Sequence, residues 1–173
     1  GISLWMMLFQ KDKAILVVAT KQDTAKNLVT KVKFMYDNLP SWLQIGFVEN
    51  NKLALRLKNG SQVKAVSAAS DAGRSEAISL LIVDEAAFIE ENRIEEIWGS
   101  SQQTLSTGGK AIVLSTPNGT GNFFHRMWTK AEEGTNGFVP IKLHWSVHPE
   151  RNQEWRDKQD DELGLRMAAQ ECD

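Results

Sequence analysis

The sequence predicts an α/β three-layer fold: a mostly parallel sheet flanked by helices, with one inserted antiparallel hairpin. Three observations carry this. Aliphatic runs without polar alternation recur at Ala14–Thr20, Leu80–Val83 and Ala111–Ser115. Such runs suit strands buried on both faces, as in a parallel sheet covered by helices. Between them lie stretches of helical spacing, and Asn59-Gly60 sits between two short apolar runs, a strong hairpin signal.

Taken in order, the apolar opening Ile2–Phe9 has no basic flank before it and no small-residue cleavage site after it, so it is not a secretory signal. The polar turn Lys11-Asp12-Lys13 introduces the first strand. A helix is expected from about Gln22 to Asn38, since Ala25, Leu28, Val29, Val32, Met35 and Tyr36 recur at three- and four-residue spacing and Pro40 closes the run. Phe47–Val48, Leu53–Leu57 and Gln62–Val66 read as short strands. The strand to Val83 follows, then a helix from roughly Ile94 to Leu105, the strand Ala111–Ser115, and a helix from about Gly121 to Glu132. A further strand is expected near Phe138–Leu143. The tail reads as an acidic helix from Asn152 to about Leu163, with Gly164 as its stop.

A chain of 173 residues is long enough for one domain with a real core and short for two. No segment approaches the 18 or more apolar residues of a membrane span. Cys172 is the only cysteine, which rules out an internal disulfide and fits a reducing compartment. Charge is uneven: residues 1–64 hold ten Lys/Arg against four Asp/Glu, and residues 65–173 hold ten against eighteen. The basic half suits a place near nucleic-acid phosphates, although such a bias is more often a solvated helix face. Lys26 and Lys33 share one such face. The chain begins at Gly1 in mid-pattern and reads as a piece of a longer protein.

The strongest chemical signal is Leu80–Ala87, an aliphatic strand ending in the adjacent carboxylates Asp84 and Glu85. Open parallel sheets bind ligands at the carboxyl ends of their strands. In nucleotide hydrolases this layout holds Mg²⁺ through the Asp, and the next carboxylate positions or activates a water. An ordinary strand ending in an acidic turn has the same appearance. Ser115-Thr116-Pro117-Asn118-Gly119 ends the next aliphatic strand, where hydroxyls suit a γ-phosphate or its attacking water; the alternative is a plain β-to-α turn. Other candidates are weaker. His144 and His148 lack the ligand support of a zinc site. Asp157, Asp160, Asp161 and Glu162 fit a solvated helix face. Trp5, Trp42 and Trp98 fit cores and interfaces better than base stacking.

Leu80–Ala87 (LLIVDEAA), followed by Ala111–Gly119 (AIVLSTPNG) and Asn122-Phe123-Phe124, resembles the large terminase subunit of tailed bacteriophages and prophages. The resemblance extends through Ala14–Leu43, the turn Leu57–Ser61, and Trp145, His148-Pro149 and Trp155. It implies a P-loop NTPase-like fold of the RecA/ASCE type, and an ATPase motor that translocates double-stranded DNA into a procapsid. It further implies ATP and Mg²⁺ as cofactors, the portal protein and small terminase subunit as partners, assembly as a ring homo-oligomer without membrane contact, and a site of action in the host cytoplasm at the procapsid portal. By position, Asp84 matches the Walker B aspartate, which holds Mg²⁺ together with a P-loop Ser/Thr, and Glu85 matches the catalytic glutamate. Ser115, Thr116 and Gly119 match the coupling motif. Arg74 matches a proposed arginine finger, a role that suits charge developing on a transferring phosphoryl group; a surface arginine in a Gly/Ser loop is the plain alternative.

One departure matters. The phosphate-binding G-x-x-x-x-G-K-[ST] is absent, because Gly109-Lys110 has Thr104 at the first glycine position, Ala111 for the hydroxyl, and a strand rather than a helix after it. The resemblance therefore implies residues 1–144 as an ATPase domain lacking its P-loop, and 145–173 as a helical linker toward a nuclease domain. This segment alone is expected to be inactive. A superfamily 2 helicase motor and a non-catalytic binding module without a P-loop are the alternatives.

Overall fold

The computed structural model describes residues 1–69, 77–106 and 108–172. The chain divides into two compact units, Gly1–Leu114 and Ser115–Asp173.

The first unit opens with helix α1 (Ile2–Phe9), strand β1 (Ala14–Ala19) and helix α2 (Gln22–Asp37). Strands β2 (Phe47–Asn50), β3 (Ala54–Leu57) and β4 (Gln62–Ser67) follow. Then come β5 (Leu80–Val83), helix α3 (Glu91–Ser106) and β6 (Lys110–Val113). One six-stranded sheet results, in the order β2-β3-β4-β1-β5-β6. Strands β4, β1, β5 and β6 run parallel, and β2-β3-β4 form the antiparallel insertion. This is the α/β sheet that the aliphatic runs predict.

Alternation along the strands sorts their side chains into two faces. On one, Ile15, Val17, Ala19, Val63, Ala65 and Leu80 pack with Leu4 and Met7 of α1 and Ala25, Val29, Val32 and Tyr36 of α2. The α2 residues recur at the spacing that makes one apolar helix stripe. The opposite face buries Leu16, Val18, Leu81 and Val83, and Ala86, Ile89 and Ile94 after β5 are buried too. Burial on both faces is why these strands lack polar alternation. On the outer face of α2, Lys26 is paired with Asp23 and Lys33 with Asp37. Two of the three lysines of α2 are thus paired with carboxylates of the same helix.

The amino ends of the parallel strands are tied by side chains. Asn59, in the β3–β4 turn, donates its amide to the carbonyls of Met7 and Gln10, at 2.7 and 3.3 Å. The Ser61 hydroxyl donates to Gln10 O at 2.8 Å and accepts from Lys13 N at 3.2 Å. Ser79 Oγ accepts from Ala14 N at 3.2 Å. Gly60 has φ +85°, and a Cβ there would lie 2.0 Å from Asp12 Oδ1. The Asn-Gly pair therefore closes the hairpin and admits the Asp12 turn as well.

In the second unit, helix α4 (Phe123–Glu132) is capped by Asn122, and α5 (Gln153–Leu163) by Asn152. Helix α5 stops at Gly164, with φ +78°, and α6 (Leu165–Cys172) follows it. The acidic tail is thus two consecutive helices separated at Gly164, within the stretch expected to be helical. Trp155 stacks near Trp145, with ring centroids 6.1 Å apart, and Arg151 lies 4.5 Å over Trp155.

Two expectations need correction. Phe138–Leu143 is not a strand, although its main chain carries apolar residues at every second position. Val139, Ile141 and Leu143 are 80%, 70% and 76% exposed, and Pro140 contributes no N–H to a ladder. A strand requires ladder pairing, and residues 138–143 form no strand of the sheet. Of the two places expected for Trp5 and Trp42, cores and interfaces, the core is excluded, since both are exposed.

Candidate active site

Strand β5 lies between β1 and β6, with Val83 opposite both Val18 and Val113. The chain therefore delivers Asp84 and Glu85 to the carboxyl end of the parallel strands, where open sheets of this type hold ligands. The Asp84 N–H donates to Val18 O at 2.8 Å, and this bond continues the β1–β5 ladder past the end of β5. Both carboxylate residues are half-buried. Hard oxygen donors in such a place suit Mg²⁺, which is commonly held by one or two carboxylates together with substrate phosphates.

Glu85 departs from regular structure. Its φ and ψ are 56° and 42°, in the left-handed region. A residue with a Cβ is held there at a cost of about 1–2 kcal/mol. Strain of this kind persists where the surroundings fix it, and it concentrates at functional sites. A short 3₁₀ turn, Ala86–Phe88, begins immediately afterwards, and Phe88 N donates to Glu85 O at 2.9 Å.

The row of strand ends holds more than the two carboxylates. Ala68 N donates to Ala19 O at 2.8 Å, which brings Ser67 and Thr20, the last residue of β4 and the first after β1, to the same end of the sheet. Both are half-buried. Sequence reasoning had not singled out either hydroxyl. The signal that finds them is a hydroxyl residue closing an aliphatic strand that neighbours the Asp84 strand.

The other predicted site residues fall elsewhere. Arg74 lies outside the described residues. Ser115, Thr116 and Gly119 belong to the second unit, Ser115 following Leu114 directly. Gly119 has φ +73°, and Asn118 O accepts from the side chain of Asn122, the α4 cap, at 2.8 Å. Gly109-Lys110 leads into β6, so it does not open a phosphate-binding helix. Among the described residues, no group of His, Cys, Asp and Glu forms a metal cluster of three or more. Cys172 is a buried free thiol.

The family model for the N-terminal part of the terminase large subunit, T4-like virus type, matches residues 2–169. Among solved structures, the large terminase ATPase domain of Thermus phage P74-26 is similar at 22% identity and a TM-score of 0.69. That match covers 98% of this chain and 79% of the phage domain. The large terminase of bacteriophage HK97 matches at 18% identity and a TM-score of 0.66, over 98% of this chain and 38% of its own. A large terminase from a thermophilic bacteriophage, solved in complex with ADP, matches at 12% identity and a TM-score of 0.67. That match covers 92% of this chain and 40% of the other. At these identities the structural likenesses establish the fold.

Proposed function

The chain belongs to the N-terminal family of T4-like terminase large subunits, and on that premise we propose that it forms the Walker B half of an ATP-hydrolysing site in a DNA-packaging motor. The observation that carries this reading is the strained Glu85 at the carboxyl end of a buried parallel strand, directly after Asp84.

In this reading Asp84 holds Mg²⁺ bound to the nucleotide phosphates. The metal, when bound, neutralises charge developing on the transferred phosphoryl group. Glu85 orients the attacking water and accepts its proton. Ser115, Thr116 and Gly119 act as the coupling motif, and Arg74 as a finger on a neighbouring subunit. The carboxylates have no phosphate cradle within these 173 residues, since G-x-x-x-x-G-K-[ST] does not occur in them. Hydrolysis therefore requires the full-length protein. Its track is double-stranded DNA, its partners are the portal protein and the small terminase subunit, and its working form is a ring of copies at the procapsid in the host cytoplasm. Family membership and the ADP complex of a structurally similar terminase support this reading. Among the described residues no helix is long and apolar enough to cross a membrane.

The test is turnover by the full-length protein. Glu85→Ala lowers steady-state ATP hydrolysis by about 10²-fold or more, the usual worth of a positioned base, and leaves nucleotide binding largely in place. Retained turnover refutes the role of Glu85. For Arg74, mixing Arg74→Ala subunits with Glu85→Ala subunits restores part of the activity if the finger acts between subunits.

A further inference from the structure

We propose that the main chain of Leu114 is the positioning element for Glu85, closing a one-residue bulge that holds the carboxylate in its left-handed conformation. The proposal rests on the catalytic reading of Glu85 and identifies what controls it.

The hydrogen bonds around β5 carry the argument. In a regular parallel ladder, a residue donates to the carbonyl one place before its partner and accepts from the N–H one place after it. Leu114 N donates to Val83 O at 3.0 Å, so its partner position is Asp84. Regular pairing would then have Leu114 O accept from the N–H of Glu85. Instead it accepts from Ala86 N, at 3.1 Å. One extra residue is thus inserted opposite Leu114, and that residue is Glu85, with φ 56°. Bulges of this kind bend the strand and re-aim side chains, and they gather beside active sites.

The consequence is local and mechanical. Strand alternation would send Asp84 and Glu85 to opposite faces of the sheet. The bulge breaks that alternation at the second carboxylate. Leu114 ties both sides of it, through Val83 before and Ala86 after, while Asp84 is held independently by Val18. Displacing Leu114 therefore disturbs Glu85 first and leaves the β1 side of Asp84 in place. Leu114 is also the last residue of the first unit, and the Ser-Thr-Pro-Asn-Gly segment follows it in the chain.

The experiment replaces Ala86 by lactic acid in the full-length protein, which deletes the N–H and retains the side chain. The expected result is a fall in kcat of about tenfold or more with KM for ATP held within about twofold, since a misplacement of ~1 Å costs rate rather than binding. In the unmodified protein, the Ala86 amide exchanges with solvent as slowly as the Leu114 amide. An ester variant with normal kcat, beside an inactive Glu85→Gln, overturns the inference and leaves the catalytic reading standing. Turnover retained in Glu85→Gln overturns both.

Discussion

Two residues other than glycine have positive φ among those described, Asp12 at 55° and Glu85 at 56°, and they lie at opposite ends of the same parallel strands. Asp12 precedes β1, at the amino ends. It is a residue type that visits the left-handed region routinely, because its short side chain bonds locally. Its surroundings are cross-tied by side chains: Asn59 to Met7 and Gln10, and Ser61 to Gln10 and Lys13. Glu85 follows β5, at the carboxyl ends. Its residue type is poorly suited to the conformation, and two main-chain bonds flank it, Phe88 N to Glu85 O and Ala86 N to Leu114 O. The same torsion therefore has two meanings. At Asp12 composition and conformation agree, as expected where only architecture is required. At Glu85 they disagree, a local conflict that accords with the catalytic role proposed for this residue.

The largest effect on stability belongs to the amino end. Asn59→Ala removes the amide donor shared by two carbonyls and the acceptor for Ser61 N. It is expected to lower unfolding free energy by about 2 kcal/mol, since Met7 O and Ser61 N lose these bonds while Gln10 O keeps the one from Ser61. Urea denaturation of the variant measures this. A loss below about 0.5 kcal/mol, the level of an ordinary surface substitution, would mean that the clasp is incidental and that Asp12 is held by its turn alone. Next in size, Glu85→Gly is expected to raise stability by about 1 kcal/mol, because glycine adopts this conformation without the Cβ penalty. It abolishes turnover in the full-length protein at the same time. Stability gained as activity is lost is the signature of strain kept for function. A destabilised Glu85→Gly variant would show that the side chain contributes to the fold, and the contrast with Asp12 would fail.

How far the sequence discloses this arrangement depends on the range of the interactions concerned. The aliphatic strands, helix α2, the Asn59-Gly60 hairpin and the Gly164 stop are legible because each is set by its own residues. Asp84 and Glu85 stand out because an apolar strand ending in two acids is a local pattern. The left-handed turn at Glu85 is not legible: the bond that closes around it runs from Ala86 N to Leu114 O, a residue distant in sequence. Phe138–Leu143 fails for a related reason. Its alternation is that of a strand, but pairing needs a second strand, which no local pattern reports. Residues 145–173 read as helical, but Gly164 reads as the end of the helix, and the separate α6 is not marked because the chain resumes its helix one residue later. Thr20 and Ser67 go unnoticed because single hydroxyls are common, and only the β4–β1–β5 register places them in the row that holds Asp84.

The smallest effect is the sharpest control. Asp12→Gly makes the same formal change as Glu85→Gly, at a residue with nearly the same φ. If strain depended on backbone torsion alone, the two variants would gain stability equally. Asp loses less than Glu in the left-handed region, so little penalty is available to relieve. Glycine also enlarges the conformational freedom of the unfolded chain, which offsets part of any gain. The expected change for Asp12→Gly is therefore within about 0.5 kcal/mol of zero, against the gain at Glu85. Both variants can be measured in one background by denaturant titration, and their difference isolates the residue-specific part of the strain. A gain at Asp12 matching that at Glu85 removes the distinction between the two ends of the sheet. Glu85 would then be one more tight turn, and the unusual conformation would no longer argue for its catalytic role.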